Sequence, residues 1–283
     1  MNLIRKDPLP PFIFLPGAGG VNANVAGFVK RSKGQLPLVL VNYPDWSWQL
    51  EHPDFETVLS EVTQSIAEAA PQGPLGIAGY SLGALIAAVA ALRLTDRGRE
   101  VRWIAAIDPV LPGASGLAPR LGLRVVHDTR AAVEAGWRST VQYAWKLLNR
   151  VLGRLLVPRL PRLGRQSRQL LRLFARPGSQ LADEFGARLM IKSACRWDLS
   201  FARMPRDTRC VVFHTAESSP DLAFWRTYFA AVTLIETDGN HHSLFKGNLA
   251  ELLLESWTLA CTGVPFSDCE IGLADNVASP TTR

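Results

Sequence analysis

Short apolar runs alternate with longer amphipathic stretches along most of the chain. The apolar runs predict buried strands at residues 11–15, 38–42, 74–78, 101–107, 209–214 and 231–236. Stretches with helical spacing lie between them at residues 54–70, 82–94, 221–229 and 248–261, and a further helix is expected from about Asn24. This alternation predicts a mainly parallel sheet with helices on both faces, and functional residues on loops at the carboxyl ends of the strands.

Between about residues 110 and 205 the pattern is helical only. Ala131–Val157 has apolar residues at close to the helical period, with Gly153 as the expected break. A second amphipathic helix is predicted over Gly164–Arg176. We therefore expect one core domain formed by residues 1–110 and 206–262, a helical lid inserted at 111–205, and a flexible polar tail at 263–283.

Composition fits a single globular domain. The chain has 283 residues, of which 47% are hydrophobic and 20% charged. Residues 1–11 contain no apolar run that would act as a signal peptide, and the longest apolar run, Leu82–Leu92, is shorter than the twenty or so residues that span a bilayer. The four cysteines lack the spacing of metal or redox sites. A cytoplasmic protein without an integral membrane segment, metal or cofactor is expected.

The positive charge is concentrated in the expected lid. The net charge is +6, but residues 135–182 contain nine arginines, one lysine and no acidic residue, which leaves −4 for the rest of the chain. Two interpretations stay open: a solvated face of amphipathic helices, or a surface that attracts an anionic partner.

A GxSxG pentapeptide stands between a predicted strand and a predicted helix. In Gly79-Tyr80-Ser81-Leu82-Gly83 the two glycines permit a turn so tight that the serine is held in a strained conformation with its hydroxyl exposed. The helix that starts at Leu82 directs free amides toward the place where an oxyanion would form. The pattern predicts a nucleophilic Ser81.

A nucleophilic serine needs a general base and an acid that orients the base. His241 and His242 follow the last predicted strand, where the order serine, acid, histidine places the base. Asp108 directly follows the strand after the nucleophile and is favoured as the acid. Asp221 is the alternative acid, although its position after Pro220 is typical of a helix N-cap.

Together these motifs resemble the thioesterase domains of polyketide and nonribosomal peptide synthases and the related stand-alone thioesterases, which have the α/β-hydrolase fold. The likeness spans about residues 11–262 and depends on the segment 14–20, the pentapeptide 79–83, Asp108, and Gly239-Asn240-His241 with Ser243-Leu244 behind it. The resemblance implies that His241 is the base and that the amides of Ala18 and Leu82 form the oxyanion hole. An acid at Asp108 resembles the synthase-terminal type, whereas stand-alone editing thioesterases usually carry it closer to Asp221.

The implied activity is acyl transfer in secondary-metabolite biosynthesis, such as polyketide, nonribosomal peptide or antibiotic production. Ser81 would take an acyl or peptidyl chain from a carrier-protein phosphopantetheine thioester and release it by hydrolysis, cyclisation or transfer, with no cofactor of its own. Carrier proteins are acidic, so the lid arginines Arg165, Arg168 and Arg172 are candidates for docking them.

Three alternatives remain. An editing thioesterase that removes aberrant acyl groups would use the same residues, as would a carboxylesterase or lipase that acts on oxygen esters. A protein that binds a membrane or a polyanion through its basic lid would not need the serine, acid and histidine set. That set therefore favours an enzyme, and the scarcity of aromatic residues among the lid charges argues against nucleic acid.

Overall fold

A six-stranded parallel sheet forms the centre of the molecule. The computed structural model describes residues 9–111, 137–162, 165–176, 179–197 and 203–264. In these ranges the strand order is β2-β1-β3-β4-β5-β6, and every neighbouring pair is parallel. The strands are β1 (Phe12–Leu15), β2 (Leu38–Leu40), β3 (Leu75–Tyr80), β4 (Val101–Ile107), β5 (Arg209–Thr215) and β6 (Val232–Thr237). The predicted parallel α/β architecture is confirmed.

The helices also occur where the pattern predicts them, with two additions. They are α1 (Ala23–Ser32), α2 (Trp46–Glu51), α3 (Phe55–Ala69), α4 (Leu82–Asp96), α5 (Trp137–Leu156), α6 (Arg165–Phe174), α7 (Gln180–Ala194), α8 (Leu222–Tyr228) and α9 (Leu249–Thr262), with 3-10 turns at Val157–Arg162 and Leu244–Lys246. The sequence pattern did not predict α2 or α7. Within the described ranges, no helix is long and apolar enough to cross a bilayer.

Two apolar layers cover the sheet, because successive side chains of a strand point to opposite faces. In β1, Ile13 and Leu15 pack in the layer that contains α3 and α4. Phe12 and Phe14 pack in the layer that contains α1 and α9. With both faces covered, the inner strands β1, β3 and β4 bury nearly all their side chains, and this explains their continuous apolar sequences.

The inserted segment attaches to the core through a small apolar cluster around α2. The Trp46 and Phe185 rings meet edge to face at 5.3 Å, and the Trp46 indole N–H donates to the Ala175 carbonyl at 2.9 Å. These contacts join α2 to α7 and to the end of α6. This packing stabilises α2, since six residues are too few for a helix that is stable on its own.

Gly153 does not break α5. The helix runs unbroken from Trp137 to Leu156, so the prediction of a break is wrong. A Cβ at Gly153 would lie 2.5 Å from Glu184 Cγ and 3.0 Å from Arg188 Nε, both on α7. The glycine is present because α5 and α7 approach closely there. The part of Ala131–Val157 before residue 137 and the predicted tail beyond residue 264 lie outside the described residues.

This packing predicts opposite effects for two helical glycine-to-alanine changes. Gly27→Ala in α1 meets only the flexible end of Arg31, so alanine's higher helix propensity should raise the free energy of unfolding by up to about 1 kcal/mol. Gly153→Ala has the same propensity gain, but it displaces Glu184 and its ion pair with Arg188, and overpacking of this kind costs about 1–3 kcal/mol. Denaturant unfolding of both variants should give a gain for the first and a loss for the second; a gain for both would contradict the close α5–α7 contact.

Candidate active site at the carboxyl edge of the sheet

Ser81 occupies a strained turn between β3 and α4. Its backbone has φ 57° and ψ −123°, which non-glycine residues rarely adopt. A Cβ at Gly79 would collide with the Gly83 carbonyl, and a Cβ at Gly83 would collide with the Pro16 carbonyl. The two glycines of the pentapeptide are therefore required for the turn to close, as predicted from the sequence.

Hydrogen bonds join this turn to the end of β4. The Ser81 amide donates to the Ile107 carbonyl at 2.9 Å, and the Ser81 carbonyl accepts from the Val110 amide at 3.3 Å. The two bonds bracket Asp108. The backbone of the serine and that of the acid are thus fixed relative to each other.

Asp108 is a buried carboxylate held in a second strained conformation. It is 3% exposed and has φ 41°, and its amide donates to the Phe213 carbonyl at 2.7 Å. In the described part of the chain, Ser81 and Asp108 are the two non-glycine residues with positive φ. Strain of this type is concentrated at functional sites, where the surrounding structure maintains it.

His241 contacts Asp108 directly. Its Nδ1 lies 2.5 Å from Asp108 Oδ2, a contact that fixes the ring and leaves Nε2 for another partner. Burial acts to raise the pKa of Asp108, but hydrogen bonds from His241 and Ser218 and the charges of His241 and His214 outweigh it and lower the pKa below its usual value. The carboxylate is therefore ionised at neutral pH.

The side chain of Tyr80 positions the His241 loop. The two rings stack at 4.9 Å, and the Tyr80 hydroxyl donates to the His241 carbonyl at 2.5 Å. At Gly239 the φ of 92° allows the tight turn before the histidine, where a Cβ would lie 2.7 Å from Ser243 Oγ. Of the two adjacent histidines, His241 contacts Asp108, whereas His242 is exposed.

The predicted oxyanion donors are Leu82, which follows Ser81, and Ala18, which lies in the loop after β1. Leu82 is the first residue of α4, and its amide has no acceptor within the helix. A Cβ at Gly17 would lie 3.4 Å from Ser81 Cβ, so the loop after β1 passes directly against the serine. The turn from Gly17 to Gly20 closes through the Gly17 carbonyl and the Gly20 amide, which leaves the Ala18 amide outside that bond.

Tyr43 and α7 hold this loop in place from two sides. The Tyr43 hydroxyl donates to the Pro16 carbonyl at 2.5 Å, and complete burial raises the pKa of Tyr43, so it stays a donor. A Cβ at Gly19 would lie 3.8 Å from Ala187 Cβ in α7. The inserted segment therefore reaches the loop that carries one predicted oxyanion donor.

The alternative acid and two further histidines are not part of this contact. Asp221 accepts from the Phe224 amide at 3.0 Å and is the N-cap of α8, the role that its position after Pro220 suggested. His52 stacks on Trp48 in α2, and His127 lies outside the described residues. No cluster of three or more metal-ligating side chains occurs in the described ranges.

The predicted docking arginines are only partly described. Arg172 is exposed and forms an ion pair with Glu51 at 2.9 Å. The backbones of Arg165 and Arg168 lie in α6, but their side chains lie outside the described residues.

Two residues of the site were missed by sequence reasoning. Ser218 comes from the loop after β5, and nothing in the local sequence distinguishes it from an ordinary turn serine. The position of Tyr80 could have been inferred from the sequence. Tyr80 is the variable residue of the pentapeptide and ends β3 beside Ile107, the residue before Asp108. Both residues orient groups that the sequence analysis did identify.

Comparison with known proteins gives one family match. Residues 10–128 match the family model described as "Thioesterase domain". The match covers less than half of the chain, and the matched residues are similar to a thioesterase domain, as the motifs predict. The resemblance inferred from the motifs is confirmed.

Particular relatives narrow the comparison. The chain is 30% identical over 105 residues to the "Inactive atromentin synthetase invA6" of Paxillus involutus, which covers 37% of this chain and 11% of that protein. It is 25% identical over 146 residues to the "Spectinabilin polyketide synthase system protein NorC" of Streptomyces orinoci, covering 50% of this chain and 6% of that protein. The chain matches only a small part of the length of these curated relatives.

Solved thioesterase structures share the fold over most of the chain. The Vlm2 thioesterase domain aligns with a TM-score of 0.54 at 23% identity, covering 88% of this chain and 93% of that chain. The RedJ thioesterase of Streptomyces coelicolor aligns with a TM-score of 0.55 at 19% identity, covering 88% and 85%. At such identities the likeness establishes the fold alone.

The Ser218 hydroxyl should contribute more to the free energy of unfolding at neutral pH than in acid. The pKa of Asp108 is lower in the folded than in the unfolded chain, so its carboxylate stabilises the fold above the ordinary aspartate pKa near 4 and loses this contribution as pH falls through the folded pKa. Ser218→Ala removes one of the hydrogen bonds that lower the pKa of Asp108. It should reduce the free energy of unfolding by about 1 kcal/mol at pH 7.

Thermal unfolding of wild type and Ser218→Ala at a series of pH values checks this. The difference in melting temperature should narrow as pH falls below about 4, and Ser218→Thr, which keeps the hydroxyl, should retain most of the stability. Ser218 also bonds the Thr215 backbone, an interaction that does not titrate. A difference that stays constant with pH would assign Ser218 to that turn alone.

Proposed function

We propose that the chain is a serine thioesterase that takes an acyl or peptidyl chain from the phosphopantetheine thioester of a carrier protein and releases it in secondary-metabolite biosynthesis. One observation carries the assignment. The two strained non-glycine residues of the described chain, Ser81 and Asp108, are tied together at the carboxyl edge of the sheet, and the acid contacts His241.

The roles follow from the chemistry of these groups. His241 accepts the Ser81 hydroxyl proton as the serine oxygen attacks the thioester carbonyl, and Asp108 stabilises the imidazolium. The amides of Ala18 and Leu82 bind the oxyanion. When the C–S bond breaks, His241 returns the proton to the departing thiol, leaving an acyl ester on Ser81.

A second nucleophile completes the cycle. Water, or a hydroxyl or amine of the substrate, attacks the Ser81 ester with His241 again as base, and the product is a free acid, a macrocycle or a transferred acyl group. Proton transfers and oxyanion stabilisation account for both steps, so the proposed reaction needs no cofactor beyond the phosphopantetheine of the substrate. A cytoplasmic location is part of the proposal.

The position of the acid supports the synthase-type role. Asp108 follows β4, the strand beside the nucleophile strand β3, while Asp221 after β5 caps α8. In the resemblance drawn from the sequence, an acid after the nucleophile's neighbouring strand is typical of synthase-terminal thioesterases. An editing thioesterase remains the alternative within the class, and a carboxylesterase or lipase the alternative outside it.

Intact mass measurement with acyl-pantetheine thioesters tests the main proposal. Wild-type protein should gain the mass of the acyl group, and Ser81→Ala should gain none. His241→Ala and Asp108→Asn should form the adduct at least about a hundredfold more slowly, since loss of a triad residue removes base catalysis or its orientation. His52→Ala is the control, because His52 is an exposed histidine at the end of α2, away from Asp108, and the variant should retain the wild-type rate.

The same assay separates the alternatives. Comparable acyl groups presented as thioesters and as oxygen esters should react with a clear preference for the thioester, whereas an oxygen-ester preference would favour a carboxylesterase. One curated relative is named as inactive, so an absence of both adduct and turnover with every thioester is a meaningful result. That outcome would refute the enzyme assignment for this chain.

The lid arginines provide a second test, of the carrier-protein partner. Replacement of Arg165, Arg168 and Arg172 by glutamine removes three positive charges from α6. Turnover of carrier-bound substrate should fall about tenfold or more and wild-type turnover should weaken with added salt, because charge steers an acidic partner. Turnover of the small acyl-pantetheine substrate should change little.

Three exposed arginines at the opposite edge of the sheet form the matched control. Arg97, Arg206 and Arg226 precede strands or end helices at the amino edge, so their replacement by glutamine changes the net charge equally without altering α6. Equal losses in the two triple variants would assign the effect to net charge alone. Unchanged turnover in the α6 variant would leave those arginines as a solvated face.

A further inference from the structure

Helix α5 presents a continuous apolar face to solvent. Six large side chains, here called the α5 stripe, recur every three or four residues and therefore share one side of the helix. Their exposed fractions are 72% for Trp137, 57% for Val141, 57% for Trp145, 44% for Leu148, 52% for Val151 and 50% for Leu155.

Other positions of α5 attach the helix to the protein. Asn149 is buried and its amide donates to Gln180 at 3.4 Å, Gly153 meets α7, and the Arg150 carbonyl accepts from Arg188 at 3.2 Å. Since α7 packs in turn on α2, α5 is the outer layer of the inserted segment. The α5 stripe is not needed for this attachment.

Helix α6 repeats the arrangement. Leu171 packs into the cluster around Trp46, whereas Leu170, Leu173 and Phe174 are 59%, 58% and 74% exposed. Large apolar side chains exposed as a contiguous patch are costly in water, and such patches are typical of interaction surfaces. The inserted segment therefore has two exposed apolar helical faces.

The charge of the segment indicates the occupant. Residues 135–182 carry +10 with no acidic residue, so contact between the inserted segments of two copies would bring together segments of like charge. Binding to an anionic lipid surface is favoured by about 1 kcal/mol for each nearby Lys or Arg. Apolar side chains and tryptophan also insert into such a surface at the depth of the headgroups. A nucleic acid would neutralise the charge but leave the α5 stripe in water.

The shape of α5 agrees with a flat partner. Its twenty residues form an unbroken helix about 30 Å long. Arg154 is exposed next to the stripe position Leu155 and can extend sideways to headgroups. We propose that the inserted segment docks on an anionic membrane surface, with α5 lying in the membrane plane and the α5 stripe inserted among the lipids.

Vesicle sedimentation with the full chain tests the proposal. The probe is 100 nm vesicles of phosphatidylcholine with phosphatidylglycerol, compared with vesicles of phosphatidylcholine alone. Wild-type protein should sediment with the anionic vesicles, more weakly as salt is raised. Trp145→Gln with Leu148→Gln should weaken binding about tenfold or more, because two inserted apolar side chains become polar.

Leu148→Gln and Ile191→Gln form a matched pair. Both residues are 44% exposed apolar side chains on helices of the inserted segment, but Ile191 lies on α7 and outside the α5 stripe. Leu148→Gln alone should weaken binding measurably, while Ile191→Gln should not. Both variants should melt at the wild-type temperature, since exposed side chains contribute little to folding.

Three outcomes would overturn the proposal: no sedimentation with anionic vesicles, equal effects of the matched pair, or dimerisation in solution that the double variant abolishes. The last result would identify a second copy as the occupant. None of these measurements uses a thioester, so failure here leaves the proposed function standing, and failure of the thioesterase assay leaves this proposal standing.

Discussion

The strained turn at Ser81 is the constraint on which the rest of the site depends. Its positive φ is sustained because Gly79, Gly83 and the Pro16 carbonyl approach too closely for any side chain, and because the Ser81 amide is bonded to Ile107 in the adjacent strand. The same close approach brings the loop after β1 against the serine. One packing arrangement thus holds Ser81 in the turn before the first residue of α4 and brings the loop that contains Ala18 close to the turn.

The sequence was sufficient for those parts of the fold that repeat a simple period. β4 has the predicted bounds Val101–Ile107, and α3 and α8 start directly after the aspartates expected to cap or precede them. By contrast, α2 and α7 stabilise each other through Trp46 and Phe185, which are distant in sequence. Gly153 was interpreted as a helix break because a local pattern cannot reveal a neighbouring helix that excludes a Cβ.

A similar limit applies to the site. The proximity of Ser81, Asp108 and His241 could be predicted because each follows a strand end, and parallel strands bring their carboxyl ends to one edge. Ser218 and Tyr80 contact other residues of the site: Ser218 forms a hydrogen bond to Asp108, and Tyr80 stacks on His241. Such supporting roles depend on three-dimensional proximity between loops, which residue type and spacing do not encode.

The order of the strands explains why Asp108 can be both buried and ionised. β4 lies between β3 and β5, so Asp108 at its end donates its amide to the Phe213 carbonyl, while its carboxylate accepts from Ser218 in the loop after β5 and contacts the ring of His241. An acid after β5 would lie one strand farther from Ser81 and would have to reach back over β4. Placing the acid after β4 shortens that reach and frees the β5 loop to supply Ser218, so the carboxylate is compensated from two strands at once.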